Sequence, residues 1–467
     1  MTMASDFFLK NNSRIIYEDY QERADDVWQN GFLFRGVVGR DLILCLVTSD
    51  RSGMFAYINT VYGDAVPVFL SSTAPVSQLK KILQSYSPNY IWVQTSRKQD
   101  FDAYESVLEV ADYSLLHRTA PEQKNIFEEL ALLATTSGST GNPKFVRQTH
   151  RNVIENTKSI IHSIDLQKTD TAITSLPITY TFGMSIINCQ LSVGADLVVT
   201  PEPFTQSTYW KMVEEHSVKV FAGVPYSYEL LNKFRILKSG KVNTIEKFLQ
   251  AGGRLKEALQ VEISEAIKGQ NKKFFIMYGQ AEATTRISCL PHEQFGSKIG
   301  SVGQALLNGE IAIENDGKKC APLVEGDIIY RGPNVALGYS LREEDLLLGD
   351  QWQGTLWTGD VGYHDEDGYV FITGRKKRIS KINGISINLD HLEKLLAESL
   401  GVELASVEHD DRIHIFIEQD IENDALASEI ERLTAIDVRF VEYVNVKKIE
   451  RLESGKINYK ALAGTLT

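Results

Sequence analysis

A run of small and hydroxylated residues ends in a lysine: Thr136-Ser137-Gly138-Ser139-Thr140-Gly141-Asn142-Pro143-Lys144. Small residues let backbone N–H groups close on an anion, and hydroxyls add donors. A lysine at the exit supplies a point charge for phosphate. This is not the nucleotide loop in which glycine stands directly before lysine and Ser or Thr directly after it, because Pro143 precedes Lys144 and Phe145 follows. A Ser/Gly tract also serves as a solvated linker. The strand-like run Leu130 to Ala134 before the tract and the helical spacing of Val153, Thr157, Ile160 and Ile161 after it favour a binding loop, with the helix following the loop.

The elements that would hold such a loop are legible around it. Up to about residue 200, strand-like and helix-like stretches alternate: RDLILCLVTSD and NYIWVQTS as strands, VSQLKKILQSYS as a helix with Val76, Leu79, Ile82 and Leu83 on one face. ADLVVT, YWKMVEEH and VKVFAGVP repeat the pattern, which implies a parallel sheet covered by helices. Past residue 300 the texture is β-like, with Asp316-Gly317 and Asp367-Gly368 as turn signals. A basic stretch after Arg375 leads into a helix (Leu389, Leu392, Leu396, Leu400), a half-buried alternating strand in RIHIFIEQ, a helix in DALASEIERLTA and a strand in VRFVEYV. The expected fold class is α/β. A large multi-sheet N-terminal domain with helix-covered sheets spans 1–375, and a small α+β C-terminal domain spans 376–467.

With 467 residues, more than one core is expected. The 43% hydrophobic and 24% charged composition excludes disorder and fibrous classes. Lys plus Arg is 49 against 61 Asp plus Glu, a net charge of −12, which argues against a nucleic-acid partner. No window is apolar for long enough to span a membrane, and the start lacks a signal pattern. Cys45, Cys189, Cys289 and Cys320 form no CxxC pair, so a reducing cytoplasm is expected.

TSGSTGNPK matches without a gap the phosphate loop of the adenylate-forming enzymes, the family of acyl-CoA synthetases, aryl-CoA ligases, firefly luciferase and peptide-synthetase adenylation domains, and the resemblance runs over about residues 15 to 465. In MYGQAEAT the chain keeps Tyr278, Gly279 and Glu282 and has Ala281 in place of the family's threonine. The resemblance puts Tyr278 against adenine, Gly279 and Gln280 among the ATP contacts, and Glu282 on Mg²⁺; a flat ring suits a purine and a hard oxygen suits that metal. Alone, the segment would read as a buried Tyr and a surface Glu. Thr358-Gly359-Asp360 resembles the ribose element, a carboxylate that accepts from two hydroxyls. Arg375, fifteen positions on (375 − 360), resembles the arginine that also meets the ribose. Taken singly, these are a turn residue and a solvated charge among Lys376, Lys377 and Arg378. Ser454-Gly455-Lys456 resembles the element whose lysine bridges substrate carboxylate and α-phosphate, 81 residues after Arg375 (456 − 375), a shorter spacing than the family's. Gly252 and Gly253 in AGGRL resemble the turn beside adenine, and Tyr180, Phe182, Gly183, Val224 and Pro225 resemble acyl-pocket residues.

Where many members have His, this chain has Tyr180; where the hinge is commonly Asp, it has Lys377; where many carry Arg, it has Ser386. By the same resemblance Gly384 lies on the thiol path. Residues 176 to 195 contain no acid to pair an α-amino group, which points to an acyl or aryl acid. The resemblance implies a ligase that forms acyl-AMP from a small-molecule carboxylic acid and ATP with Mg²⁺, releasing pyrophosphate. Catalytic roles fall to Lys144, Glu282 and Lys456, and the ATP contacts to 136–141, 144, 252, 253, 278–280, Asp360 and Arg375. The acyl group then passes to a thiol of coenzyme A or of phosphopantetheine on an acyl-carrier protein, after the small, mobile domain turns about Lys377. An amide-forming ligase, a luciferase-like oxidative activity and a nucleotide-binding protein without catalysis are the alternatives.

Overall fold

The computed structural model describes residues 2–135, 144–382, 385–419, 421–433, 436–452 and 455–466. Thr136, Ser137, Gly138, Ser139, Thr140, Gly141 and Gly384 therefore lie outside the described residues, as does Ser454. The chain forms two compact units: 1–299 with 305–310 and 331–356, and 300–304 with 311–330 and 357–467. The β-rich stretch past residue 300 clusters with the C-terminal segment, so this division falls elsewhere than the expected 375/376 boundary.

In the first unit, an eight-stranded sheet runs in spatial order Gly338–Ser340, Phe145–Thr149, Leu130–Thr135, Val66–Ser71, Leu42–Val47, Tyr90–Gln94, Tyr113–Arg118, Tyr104–Val110. Leu42–Val47 is buried at every position, as a parallel strand covered on both faces must be. A second sheet runs Ser288–Leu290, Lys273–Tyr278, Lys247–Gln250, Val220–Gly223, Ala172–Thr174, Leu197–Val199, Arg14–Ile16, Gln21–Arg23, with the strands from Lys273–Tyr278 to Arg14–Ile16 mutually parallel. The helix Thr181–Val193 is buried on all sides and belongs to the core that the two sheets share. Helix Val76–Tyr86 buries Leu79, Ile82 and Tyr86, while Val76 in its first turn is exposed rather than part of that face.

A strand, Phe145–Thr149, stands between the phosphate-loop segment and the helix, which begins only at His150. The expected strand–loop–helix is thus a hairpin: Leu130–Thr135 and Phe145–Thr149 are antiparallel, with Thr135 opposite Phe145. No helix begins directly after Lys144: the strand Phe145–Thr149 intervenes and the helix starts at His150. The segment FVRQT reads equally as a first helical turn because both of its faces are buried and no alternation marks it.

In the second unit a five-stranded sheet orders Lys318–Lys319, Glu310–Asn315, Gly326–Arg331, Thr355–His364 and Val370–Arg375. Asp316 and Gly317 both take left-handed backbone (φ 47° and 75°), the turn expected there. A three-stranded sheet joins Leu404–His409, Arg412–Ile417 and Val441–Asn445. Its central strand is not half-buried, as the alternation suggested. Ile413, Ile415 and Ile417 pack in the core of helices Leu389–Leu400 and Asn423–Leu433, and Phe416 packs on the other face with Leu462. The four thiols are free; Cys45, Cys189 and Cys289 are buried and Cys320 is half-buried.

Lys247 opens a central strand and is held by Asp170, Nζ to Oδ2 at 2.7 Å, with both side chains less than a tenth exposed. Breaking a buried pair leaves a stranded charge, whereas replacing both partners does not. Asp170→Leu is expected to cost about 3–5 kcal/mol, and adding Lys247→Met is expected to restore most of it. Thermal melts of the two single variants and the double variant check this.

Candidate active site

Four adjacent parallel strands end on one edge of the second sheet, and several of the expected site residues lie just beyond those ends. Ala172–Thr174 leads to Tyr180, Val220–Gly223 to Val224 and Pro225, Lys247–Gln250 to Gly252 and Gly253, and Lys273–Tyr278 to Gly279 and Gln280. The carboxyl ends of parallel strands are where open α/β sheets bind ligands, since the loops there diverge and leave a crevice.

Close packing favours glycine at four positions around these strand ends. A Cβ on Gly252, whose φ is +88°, would stand 2.6 Å from the Tyr180 hydroxyl and 3.3 Å from Val224 Cγ1; one on Gly253 would meet Pro225 at 3.2 Å. Tyr180, Val224, Pro225 and the glycine turn therefore form one cluster. A Cβ on Gly183 would meet the Pro177 carbonyl at 2.4 Å, which lets the helix that carries Phe182 start against that loop. On Gly279 a Cβ would fall 1.9 Å from the Thr285 carbonyl oxygen, so the chain after Tyr278 can fold back on itself only with glycine there.

The folded-back segment is strained and tightly held. Thr284 and Thr285 have φ of 54° and 126°, the left half of backbone space that β-branched residues avoid. Their hydroxyls donate to the carbonyls of Asn334 (2.7 Å) and Thr181 (3.1 Å), and Asn334 Nδ2 donates to those of Ala283 and Arg286 at 2.8 Å each. Gln148 Nε2 donates to the Ala281 carbonyl at 2.8 Å. This brace positions half-buried Glu282, whose Oε1 accepts from the Tyr339 hydroxyl at 2.8 Å. The Lys144 ammonium stands 3.4 Å from the centre of the same Tyr339 ring. One tyrosine thus links the expected phosphate lysine to the expected metal carboxylate. Burial and the nearby Glu282 charge push the Tyr339 hydroxyl above its usual range, so it donates rather than ionises.

Tyr339 escaped the sequence reading, being one of 19 tyrosines in a short edge strand. The signal was its place in GYS, whose Tyr339 lies opposite Val146 on the strand leaving the phosphate loop. The Glu282 carboxylate, a hard oxygen donor, suits Mg²⁺. A lone carboxylate matches an ion that keeps its waters and takes substrate phosphates.

In the second unit, Asp360 and Arg375 are directly opposite across an antiparallel pair, which turns a spacing of fifteen into contact. Arg375 Nε donates to Oδ1 of nearly buried Asp360 at 2.9 Å. Lys376 pairs with Asp327 at 2.7 Å. Arg378 instead turns to the C-terminal sheet and helices, with Asp390 at 2.9 Å, Glu393, and the Tyr459 ring 3.8 Å from its guanidinium. Lys377 is exposed between these two sets of anchors. Lys456 sits in a turn closed by Leu452 N–H to its own carbonyl (2.8 Å), with Gly455 at φ +78° and the Gly455 carbonyl held by Arg451 at 2.7 Å.

Residues 5–340 match the family model of AMP-binding enzymes. The 2-succinylbenzoate–CoA ligase of Bacillus subtilis (strain 168) is 29% identical over 367 residues, 78% of this chain and 74% of that protein. Among solved structures, o-succinylbenzoate coenzyme A synthetase from Bacillus subtilis with its acyl-adenylate intermediate superposes with a TM-score of 0.79 at 22% identity, covering 98% of this chain and 96% of that one. The same enzyme with ATP and magnesium ion gives 0.78 at 21% identity, covering 98% of each chain. At those identities the structural likeness is one of fold, whereas the family match covers most of the sequence. This chain belongs to the AMP-binding enzymes, the adenylate-forming superfamily.

Proposed function

We propose that this chain is an ATP-dependent acid–thiol ligase whose acid is acyl or aryl and whose acceptor is coenzyme A. The observation that carries the reading is the Lys144–Tyr339–Glu282 arrangement in a chain of the AMP-binding family. A carboxylate oxygen attacks the α-phosphorus of ATP and pyrophosphate leaves, giving acyl-AMP. The acid is already ionised at neutral pH, so no general base is required. Two anions meet, and the work is positioning and charge neutralisation. Lys144 neutralises phosphate charge, Tyr339 holds Glu282 ready, and Mg²⁺ when bound offsets phosphate charge at that carboxylate. Asp360 receives the ribose hydroxyls, oriented by Arg375. In the second step the thiolate attacks the acyl carbon, the C–O bond to AMP breaks, and the thioester forms.

Residues 376–467 are assigned as the moving part, turning about Lys377. Two anchored flanks support that assignment: Arg375 and Lys376 grip Asp360 and Asp327, while Arg378 grips Asp390 and Glu393. Free cysteines fit a cytoplasmic setting, and no helix among the described residues is long and apolar enough to cross a membrane. A carrier-protein pantetheine is the second acceptor to assay, beside amines.

Two variants test the reading. Asp360→Ala is expected to weaken ATP binding by about 1–3 kcal/mol, read by isothermal titration; unchanged affinity removes Asp360 from the site. Lys456→Ala is expected to slow acid-dependent pyrophosphate release by about 10² to 10³ and to leave thioester formation from a pre-made acyl-adenylate near the wild-type rate. Equal loss of both steps in a variant with a normal melting curve would refute the alternation of the two half-reactions.

A further inference from the structure

The first unit encloses two arginines in very different surroundings. Arg147 is wholly buried and satisfied: its guanidinium donates to the carbonyls of Tyr339 (3.1 Å), Leu337 and Gly349 (3.2 Å each) and Leu348, and to Gln351 Oε1 at 2.9 Å. Arg286 is 2% exposed, yet among the described residues its guanidinium has only two hydrogen-bond acceptors, both neutral: Met277 Sδ and Ser185 Oγ, each at 3.3 Å. Its third contact is the face of Phe182, 4.2 Å away. The titratable groups that face it are Tyr180, Cys189 and Cys289, all held neutral by burial, and no carboxylate pairs with it among the described residues. Burial pushes this guanidinium down to about 10, still charged at neutral pH.

A buried charge without a partner is costly, and chains that keep one generally have an anion to place against it. Structural need is a poor account of Arg286. The loop it sits on is held through its backbone, by Asn156 and Asn334 donating to its carbonyl at 2.9 and 2.8 Å, rather than through its side chain. The side chain is directed instead to Phe182 and Tyr180, next to the cluster of Tyr180, Gly252 and Val224. A planar guanidinium offers two parallel N–H groups to a carboxylate, and such a pair gains strength where water is excluded. The two weak neutral acceptors are the contacts that a carboxylate would replace.

We propose that Arg286 binds a second carboxylate on the acid substrate, so that the enzyme activates dicarboxylic acids: one carboxylate is adenylated while the other is held by the buried guanidinium. This deepens, and rests on, the reading that the chain adenylates carboxylic acids. It also accords with the absence of any acid in residues 176 to 195, since a cation beside Tyr180 would repel an ammonium substrate.

The test is acid-dependent pyrophosphate release across matched pairs: butyrate with succinate, hexanoate with adipate, benzoate with phthalate. The wild-type enzyme is expected to favour the best dicarboxylate over its monocarboxylate partner by about tenfold or more in kcat/KM. Arg286→Met fills the same space without charge. It is expected to lose on the order of 10²-fold on that dicarboxylate, chiefly through KM, and to gain on the monocarboxylate. ATP affinity by titration and the melting temperature are expected to hold or rise, as for removal of an unpaired buried charge. A wild-type preference for monocarboxylates, an unchanged preference in Arg286→Met, or a marked fall in its melting temperature would each overturn the proposal and leave adenylation standing. Failure of every acid to release pyrophosphate from an enzyme that binds Mg-ATP would overturn the adenylation reading itself, and this proposal with it.

Discussion

The backbone of Gly279 lies against the backbone of Thr285 and Arg286 with no space for a side chain. That contact makes the chain reverse immediately after the strand Lys273–Tyr278, and the reversal sets the positions of three side chains at once. Tyr278 stays at the strand end, Glu282 is carried toward Tyr339, and Arg286 is turned inward under Phe182. Left-handed threonines at 284 and 285 are the local cost, of order 1–3 kcal/mol each. Hydrogen bonds from Asn156, Asn334 and Gln148 offset it. A loop held this firmly carries ionic groups that need not reorganise when charge moves, which is the condition for electrostatic catalysis.

Each unit carries charged groups of a different kind. The first holds the groups suited to phosphate and metal, on strand ends and on the hairpin that carries Lys144. The second holds a paired acid and base, Asp360 and Arg375, suited to a diol. Both depend on sheets: Lys144 leaves a buried antiparallel pair, and Asp360 meets Arg375 through strand register. Register is a stiff constraint, because a slip of one residue would turn either side chain to the opposite face.

Much of this was legible in the sequence, for identifiable reasons. Leu42–Val47 and Leu389–Leu400 carry unbroken apolar runs or helical spacing, and both elements formed where read. The Ser/Gly tract, MYGQAE and TGD are contiguous motifs, so their residues could be named without knowing the fold. What sequence could not give is contact between distant segments. Tyr339 beside Glu282 and Lys144 depends on an edge strand of three residues pairing nearly two hundred positions back. The strand Phe145–Thr149 leaves no mark in the sequence because burial on both faces erases the period-two signal. Arg412–Ile417 was read as half-buried because its alternation separates two cores rather than core from solvent. Arg286 is one more charge after a motif, and only its enclosure sets it apart.

The distribution of thiols gives the molecule a built-in chemical reporter. Cys45, Cys189 and Cys289 lie in the core of the first unit, where burial raises each thiol far above its ordinary range and suppresses the thiolate that alkylating reagents require. Cys320, beside Gly326 in the second unit, is the half-buried one. A maleimide dye added to the folded protein would thus mark the second unit alone, at a single site, with no cysteine to engineer away. The three core thiols would become modifiable only as the first unit opens, so stoichiometry of labelling would count global unfolding events in the presence or absence of nucleotide.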